Sequence, residues 1–372
     1  MLTLPCWGGR PGGAGGSRLG PGPVGPWARA WERDTGRVAG YAQPMVDDPR
    51  ILVDALDHTW GSVVALCEPL GAREWSLPTP CPGWSVKDIV AHLAGIERTL
   101  QGRPQPAHDL PDYPWLRNDV GRFMEVAIDV RRPWPPDRVL AEFREVTQQR
   151  LEALRAGELD PTAEVTGPLG TPAPLARMLT IRVLDSWTHE QDLRAALRVP
   201  GGMTSPAAAV TRNLIVKSLP HVARKAGLAP GERVAIDVAA PSDPARQPVA
   251  VPAAEPVAEP VAEPVAEPVA EPVAVPAGPP GAEPAARAAV TSPASFGPAG
   301  VAVTVVAADT PSGRASVVPG IEAGATHVRL GFREFTRRAG GRLSVAEALV
   351  GGGIEGDREL AERFLTELVI TP

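Results

Sequence analysis

The sequence is short of cysteine, of aromatic residues and of long apolar runs. Its three cysteines, none of them in a CxxC pair, are too few for a disulfide scaffold. A membrane helix needs about 20 consecutive apolar residues, and no run in this sequence approaches that length. These absences exclude an integral membrane protein, and they predict a cytoplasmic location in which thiols stay reduced.

An excess of positive charge is also absent. The 37 basic residues are outnumbered by 43 acidic ones, which gives a net charge of −6. Broad binding to nucleic acid requires a clustered basic surface, so nucleic acid is not an expected partner. With 372 residues, 44% of them hydrophobic, the chain has enough material for a sizeable core and for two or three domains.

Glycine and proline are abundant and concentrate in two segments. Residues 1–44 show no helical or strand period, which predicts a disordered tail, and because an ordered pattern follows Met45 we expect the true start near that residue. Residues 241–298 contain an unbroken Ala-Glu-Pro-Val repeat. Proline at every fourth position favours polyproline II, so this segment is predicted to be a disordered insertion that acts as a spacer. A ligand for a proline-recognising domain is the alternative.

Apolar residues at helical spacing predict a helical bundle over residues 46–200. Asp47 or Asp48 is the expected cap of the first helix, and Ser85 with Asp88 resembles a capping box before the second. Further helices are expected at about 116–131, 136–156, 174–197, 205–226 and 356–369.

Alternation of apolar residues predicts strands on both sides of the insertion, at about 234–238 and 301–306. We expect them to pair in one sheet, and residues 326–330 form either a short strand or a helix start. The predicted fold class is therefore α + (α+β). A helical bundle is followed by a small α+β domain, formed by residues 205–240 and 299–372, that carries the insertion.

Three polar side chains on two predicted helices have the spacing of a metal site. Asp185 and His189 are four residues apart, so on a helix they project from one face. His92 lies mid-helix on an apolar side and would complete a three-ligand set with an open position. Asp192 and Arg182 fall on nearly the same face and are suited to orienting the ligands. The alternatives are a hydrogen-bonded core histidine and a surface Asp–His pair.

Two sequence motifs resemble a known family. Residues 78–95 read PTPCPGWSVKDIVAHLAG, and residues 185–197 read DSWTHEQDLRAAL. The first resembles the start of the metal-binding domain of mycothiol-dependent maleylpyruvate isomerase family proteins, and the second resembles that domain's second motif. The ending, from EGDRELA at residues 355–361 to the final ITP, is similar to the tail of the family's C-terminal domain. The resemblance covers roughly residues 46–240 and 290–372.

The resemblance implies a DinB-like four-helix-bundle core and a divalent metal, usually zinc, on His92, Asp185 and His189. Characterised members carry Glu in the acidic position, so the shorter Asp185 can change the bond distance or the choice of metal. The resemblance also implies a C-terminal α+β domain that closes the site and supplies an arginine, for which Arg342 is the candidate. The competing arginines are Arg329, Arg337 and Arg338.

The predicted function is that of a metal-dependent enzyme, an isomerase or S-transferase, that uses the thiolate of mycothiol on a small electrophilic substrate. The alternative is a non-catalytic metal- or ligand-binding regulatory module with the Pro-rich segment as an interaction spacer. Cys81 is interpreted as a buried turn residue rather than a nucleophile, and Trp84 and Trp187 as packing rather than pocket residues. A small-molecule substrate is the expected partner, without nucleic acid or membrane, for a monomer or homodimer.

Overall fold

The computed structural model describes residues 48–241, 300–307 and 315–371. The predicted tail at residues 1–44 lies outside this range, as does the predicted insertion apart from Pro241. Within the described ranges, no helix has both the length and the apolar character that crossing a membrane requires.

Four helices contact one another in a closed ring and form the core of the helical part. They are α1 (Pro49–Cys67), α3 (Val86–Leu100), α5 (Pro136–Ala156) and α6 (Leu175–Leu197). Helices α1 and α3 each pack against both α5 and α6. Large side chains such as Trp60, Phe143 and Leu93 are fully buried there. The shorter helices are α2 (Ala72–Trp75) and α4 (Asp119–Asp129), and α4 packs on α3.

Helix starts follow the expected capping chemistry. Asp48 accepts a hydrogen bond from the backbone N–H of Arg50 at 2.9 Å and caps α1. Ser85 and Asp88 form a reciprocal capping box at the start of α3, as the sequence predicted. Helix α4 begins later than the predicted residue 116, because the Asn118 side chain accepts from the N–H of Gly121 and so fixes the N-cap there.

Helix α7 (Pro206–Lys225) joins the bundle to the sheet. It contacts α1 and α6, and it also contacts strands of the sheet and the final helix, α10 (Arg358–Glu367). The described residues on both sides of the predicted insertion belong to one compact unit. Side chains of the C-terminal part can therefore reach the helical part.

The C-terminal part contains a five-stranded sheet in the order β5-β4-β3-β6-β7. The strands that flank the predicted insertion, β3 and β4, pair antiparallel, which confirms the prediction that they share a sheet. Strand β6 runs parallel to β3, and the other pairs are antiparallel. The bounds are β3 (Arg233–Val238), β4 (Val301–Val306), β5 (Ser316–Pro319), β6 (Thr326–Leu330) and β7 (Gly353–Glu355).

Several short elements were not predicted, because few residues carry each pattern. Strands β1 (Glu164–Thr166) and β2 (Pro172–Pro174) form a small separate hairpin before α6. Helices α8 (Phe332–Ala339) and α9 (Val345–Ala348) follow β6. Helix α8 matters for the site, because Arg337 in its last turn and Arg342 just after it donate hydrogen bonds to Asp192 of α6.

Candidate metal centre

The three predicted ligands meet between α3 and α6. The Nε2 atom of His92, in the middle of α3, is 3.5 Å from each carboxylate oxygen of Asp185 on α6. One turn along α6, the Nε2 atom of His189 is 3.7 Å from Oδ1 of Asp185. One ligand atom from each residue lies within 4.8 Å of the other two. The Asp-x-x-x-His spacing therefore places both groups on the helix face that His92 approaches.

His92 is held by packing more than by hydrogen bonds. Its ring meets that of His189 edge to face, with 4.8 Å between centroids, and only 3% of the residue is exposed. Burial lowers the pKa of His92, although the Asp185 charge opposes that shift, so the ring favours the neutral form that can bind a cation. Its Nδ1 atom is buried without a hydrogen-bond partner among the described residues. A satisfied core histidine would have such a partner.

Asp192 orients the second imidazole. Its Oδ2 atom is 3.2 Å from Nδ1 of His189. Burial alone would raise the pKa of Asp192, but Arg342, His189 and Arg337 hold it far below the usual range. An ionised carboxylate only accepts hydrogen bonds, so Nδ1 of His189 donates, and Nε2 remains for the Asp185 side. A carboxylate in this position is the usual support of a metal-binding histidine.

His189 holds a proton strongly in the absence of a metal. Burial lowers its pKa, but the charge of Asp185 and the hydrogen bond to Asp192 outweigh burial and raise the pKa to about 10. At neutral pH the ring is therefore an imidazolium. Because a metal ligand must be neutral imidazole, cation binding at Nε2 has to displace that proton.

Asp185 is fixed from the opposite side by a buried arginine. Nη1 of Arg182 donates to Oδ2 of Asp185 at 2.8 Å, and Nε of Arg182 donates to Oε1 of Glu97 at 2.7 Å. Burial would raise the pKa of Asp185, but Arg182 and the two imidazoles keep it well below its ordinary value. Its side chain is 27% exposed, compared with 3% and 8% for the imidazoles. The site therefore reaches solvent on the side of this carboxylate.

A second group of potential ligands shares His189 with the first. One ligand atom each from Cys81, His189 and Asp192 also lies within 4.8 Å of the others. Asp192, however, already accepts from Nη1 of Arg337 at 2.6 Å and from Nη2 of Arg342 at 3.0 Å. Two guanidinium charges on one carboxylate repel a further cation. We call Cys81, Asp192, Arg337 and Arg342 the anchor cluster, since these residues position His189.

Cys81 is buried in the turn before α3, and its thiol belongs to the anchor cluster. Its Sγ atom is 3.2 Å from Oδ2 of Asp192 and accepts from Nη2 of Arg342 at 3.0 Å. The residue is 8% exposed. Both the donor and the acceptor capacity of the thiol are therefore used within the protein.

Of the arginines considered from the sequence, two reach the site. Arg342 follows Gly341, whose φ of 71° is a left-handed conformation that glycine adopts without strain. Its guanidinium also donates to the carbonyl of Gly340, and its side chain is 13% exposed. Arg337 lies in the last turn of α8 and shares Asp192 with it.

The other two arginines serve the C-terminal part itself. Arg338 donates to the backbone carbonyls of Leu343, Leu365 and Thr366. Arg329 pairs with Glu355 across two neighbouring strands at the surface. Neither contact involves the residues between α3 and α6.

Trp84 packs against both imidazoles. Its ring centroid is 5.1 Å from that of His92 and 5.7 Å from that of His189. The indole N–H donates to the buried Glu125 at 2.9 Å. The preceding Gly83 has a φ of 77°, and a Cβ there would lie 2.4 Å from the ring of Trp115. This glycine therefore allows the turn to place Trp84 on the site.

Trp187, in contrast, belongs to the interior. Its indole N–H donates to the carbonyl of Gly202 at 3.0 Å, and its ring lies edge to face with Phe332 at 6.4 Å. Its residue exposure is 1%. These contacts support packing as its role.

Sequence reasoning missed the two buried glutamates that support the site. Glu97 binds Arg182, and Glu125 accepts from Trp84, Trp115 and Arg132. A signal was present for Glu97, which follows Leu93 by four residues and Val90 by seven and so falls on the apolar face of α3. A carboxylate on such a face predicts a buried cationic partner.

The fold and the site together define a helix-bundle protein with a candidate metal centre between two of its helices. Residues 56–194 match the sequence model of the mycothiol maleylpyruvate isomerase N-terminal domain. The matched residues include His92, Asp185 and His189.

Two curated relatives match part of the chain. Over 158 residues the chain is 30% identical to uncharacterized proteins from two strains of Mycobacterium tuberculosis, CDC 1551 / Oshkosh and ATCC 25618 / H37Rv. The match covers 42% of this chain and 57% of each relative, so it spans little more than half the length of these proteins.

Two solved structures also resemble the chain. They are crystal structures of the mycothiol-dependent maleylpyruvate isomerase and of a variant of it. Each alignment covers 80% of this chain and 90% of the other, with 13% identity and a TM-score of 0.40.

Proposed function

We propose that this protein is a metal-dependent enzyme that uses the thiolate of mycothiol on a small electrophilic substrate, as an isomerase or an S-transferase. The observation that carries the proposal is the convergence of His92, Asp185 and His189, with His189 oriented by Asp192. The family of the N-terminal domain supports mycothiol as the cosubstrate. A small molecule, rather than nucleic acid or membrane, is the proposed partner, in the cytoplasm.

The donor set fits a divalent cation. Nε2 of His92, Nε2 of His189 and a carboxylate oxygen of Asp185 would hold it, and two imidazoles with one carboxylate are a common ligand set of catalytic zinc. The Nε2 atom of His92 fits this role, because its polar neighbour is Asp185, which is itself a proposed ligand. A zinc-type ion bound there lowers the pKa of a coordinated thiol and so makes thiolate available near neutral pH.

The surrounding residues have separate tasks in this proposal. Asp192 accepts a hydrogen bond from Nδ1 of His189, and Arg182 donates one to Oδ2 of Asp185. Trp84 covers the two imidazoles and excludes water from that side. Arg342 would hold a substrate carboxylate, for which it must release Asp192 while Arg337 stays bonded to that residue.

The chemical step is the addition of a thiolate to an electrophilic carbon. In an isomerase, addition to a conjugated double bond permits rotation, and elimination then regenerates the thiolate. In an S-transferase the adduct is the product. Maleylpyruvate, after which the family is named, is one candidate substrate of the first kind.

One observation favours a second candidate, a non-catalytic metal- or ligand-binding module. The guanidinium of Arg342 already donates to Asp192, Cys81 and Gly340. An arginine engaged in this way stabilises structure without contacting a substrate. The two candidates differ in one measurement, since only the enzyme converts an electrophilic substrate in a reaction that requires both mycothiol and the metal.

The metal site is tested by metal analysis of the purified full chain. We expect wild type to bind about one equivalent of zinc, and His92→Ala and His189→Ala to bind far less. His58→Ala is the matched control, because His58 is exposed on α1. Equal metal content in all four proteins would contradict the site. Mycothiol-dependent conversion of maleylpyruvate that is lost on chelation of the metal would then distinguish the enzyme from the binding module.

A further inference from the structure

A groove at the other end of the α3–α6 interface contains an arginine whose side chain makes no hydrogen bond with a described residue. The groove has a volume of about 370 Å³ and lies where α3 ends and α6 begins, against α5 and β1. Most of its lining is apolar. The apolar side chains are Leu100, Ala153, Leu154, Leu159, Ala163, Val165 and Leu175.

Arg150 is the cationic side chain of this groove. Its side chain is 16% exposed, and among the described residues it makes no hydrogen bond. Its ionic contact is long, with 3.7 Å between Nε and Oε2 of Glu97. No nitrogen of Arg150 is among the fully buried unpartnered atoms, so its N–H donors are available to an acceptor in the groove. Glu158, the one acidic lining residue, is exposed.

We propose that this groove binds a small monocarboxylate with an apolar body. The carboxylate would accept the N–H donors of Arg150 in the fork geometry that guanidinium groups favour. The apolar body would lie against the leucines and Val165. The volume is within the range of small-molecule sites, and the single cationic group matches a single negative charge.

The groove is connected to the candidate metal centre by alternating charges. Arg150 contacts Glu97, Glu97 accepts from Arg182 at 2.7 Å, and Arg182 donates to Asp185 at 2.8 Å. Glu97 is fully buried, and its Oε2 atom has no hydrogen bond with a described residue. Water therefore does not screen the charge interactions at the centre of this row.

This row of alternating charges gives the carboxylate site a regulatory consequence. An anion on Arg150 weakens the hold of Arg150 on Glu97, so Glu97 attracts Arg182 more strongly. Arg182 then neutralises Asp185 less, and Asp185 binds a cation better. Carboxylate binding should therefore raise metal affinity severalfold, and by linkage the metal should raise carboxylate affinity equally. This consequence rests on the proposed metal site, whereas the carboxylate site itself does not.

The test is calorimetric titration of the metal-free full chain with benzoate. We expect saturable binding with a Kd of about 1 mM or lower, and binding of the neutral analogue benzyl alcohol that is weaker by about tenfold or more. Arg150→Gln should abolish benzoate binding. Arg144→Gln, on the exposed part of the same helix, should retain it. Ala153→Leu should also abolish binding, because it fills the groove without changing a charge.

Benzoate binding that is absent, or equal in wild type and both groove variants, would overturn the carboxylate site. The His92→Ala protein should bind benzoate normally, so failure of the proposed metal site leaves this result intact. The coupling is measured separately as zinc affinity with and without saturating benzoate. A severalfold increase in wild type that is absent in Arg150→Gln supports it, and an unchanged zinc affinity would overturn it.

Discussion

Two groups of three potential ligands share one imidazole, and they differ in how their charges are compensated. On the Nε2 side of His189, His92 and Asp185 approach at 3.5–3.7 Å, and Asp185 keeps some exposure. On the Nδ1 side, Asp192 is fully buried and accepts from two arginines, a thiol and the imidazole. Residue types alone would allow a metal in either group.

The difference shows that the charges around a ligand set matter as much as the ligands. Asp192 has no capacity left for a cation and positions His189 instead. Asp185 accepts a hydrogen bond from one arginine at Oδ2, and its Oδ1 atom faces the two imidazoles. We therefore expect the Nδ1 side to contribute mainly to stability and the Nε2 side mainly to metal affinity.

The largest expected effect is on the stability of the metal-free protein. Asp192→Ala removes the buried carboxylate that Arg337, Arg342 and His189 share, and we expect a loss of about 3–5 kcal/mol in the free energy of unfolding. Asp185→Ala should cost only about 1–2 kcal/mol, because Arg182 keeps Glu97 as a partner. Urea denaturation of both variants tests this contrast. Equal losses would contradict the division between the two sides.

Metal affinity should show the reverse order. Asp185→Asn removes the charged ligand, and we expect zinc affinity to fall by about 100-fold or more. Asp192→Asn keeps a group that can accept from Nδ1 of His189, so the fall should be smaller, about 10-fold. Competition with a chromogenic chelator measures both. A larger loss of zinc affinity for Asp192→Asn than for Asp185→Asn would place the metal on the Nδ1 side of His189 and contradict the assignment.

Metal affinity should also depend on pH through His189, whose pKa of about 10 in the folded protein lies above its ordinary value. Between about pH 7 and 9 a bound cation displaces one proton, so affinity should rise by about tenfold per pH unit. Stability of the metal-free protein has the opposite slope. The contribution of the imidazolium is complete below about pH 6.5 and is lost as pH rises toward 10, by at most about 1.4 kcal/mol per unit.

Zinc titrations at several pH values and urea denaturation of the metal-free protein check both slopes. His58→Ala should follow wild type, since His58 is exposed on α1. Zinc affinity that does not change with pH would show that His189 is not a ligand.

The smallest effect is expected at Cys81. Cys81→Ser keeps a donor toward Asp192 and an acceptor for Arg342, so zinc affinity should stay within about threefold of wild type and stability within about 1 kcal/mol. The chelator competition and urea experiments measure both quantities. A loss comparable to that of Asp185→Asn would make Cys81 a ligand.

Local sequence signals predicted the parts of the site that lie within one helix. The spacing of Asp185, His189 and Asp192 follows from helix geometry, and the capping box at Ser85 fixes where α3 begins. These features depend on residues a few positions apart, which is why a single sequence contains them.

Long-range pairing accounts for what the sequence could not show. Arg337 and Arg342 reach Asp192 across about 150 residues, including the predicted insertion. Several arginines near residue 340 have the same chemistry, and only the fold separates those that face the bundle from Arg338, which binds carbonyls of its own part. The identity of the partner of a buried charge is a tertiary property.

X-ray absorption of the zinc-loaded full chain, without added thiol, shows on which side of His189 the metal lies. With the metal on the Nε2 side, we expect only nitrogen and oxygen ligands, from two imidazoles and a carboxylate at about 2.0–2.2 Å. A zinc–sulfur distance of about 2.3 Å that disappears in Cys81→Ser would contradict this assignment, because it would place the metal in the group of Cys81, His189 and Asp192.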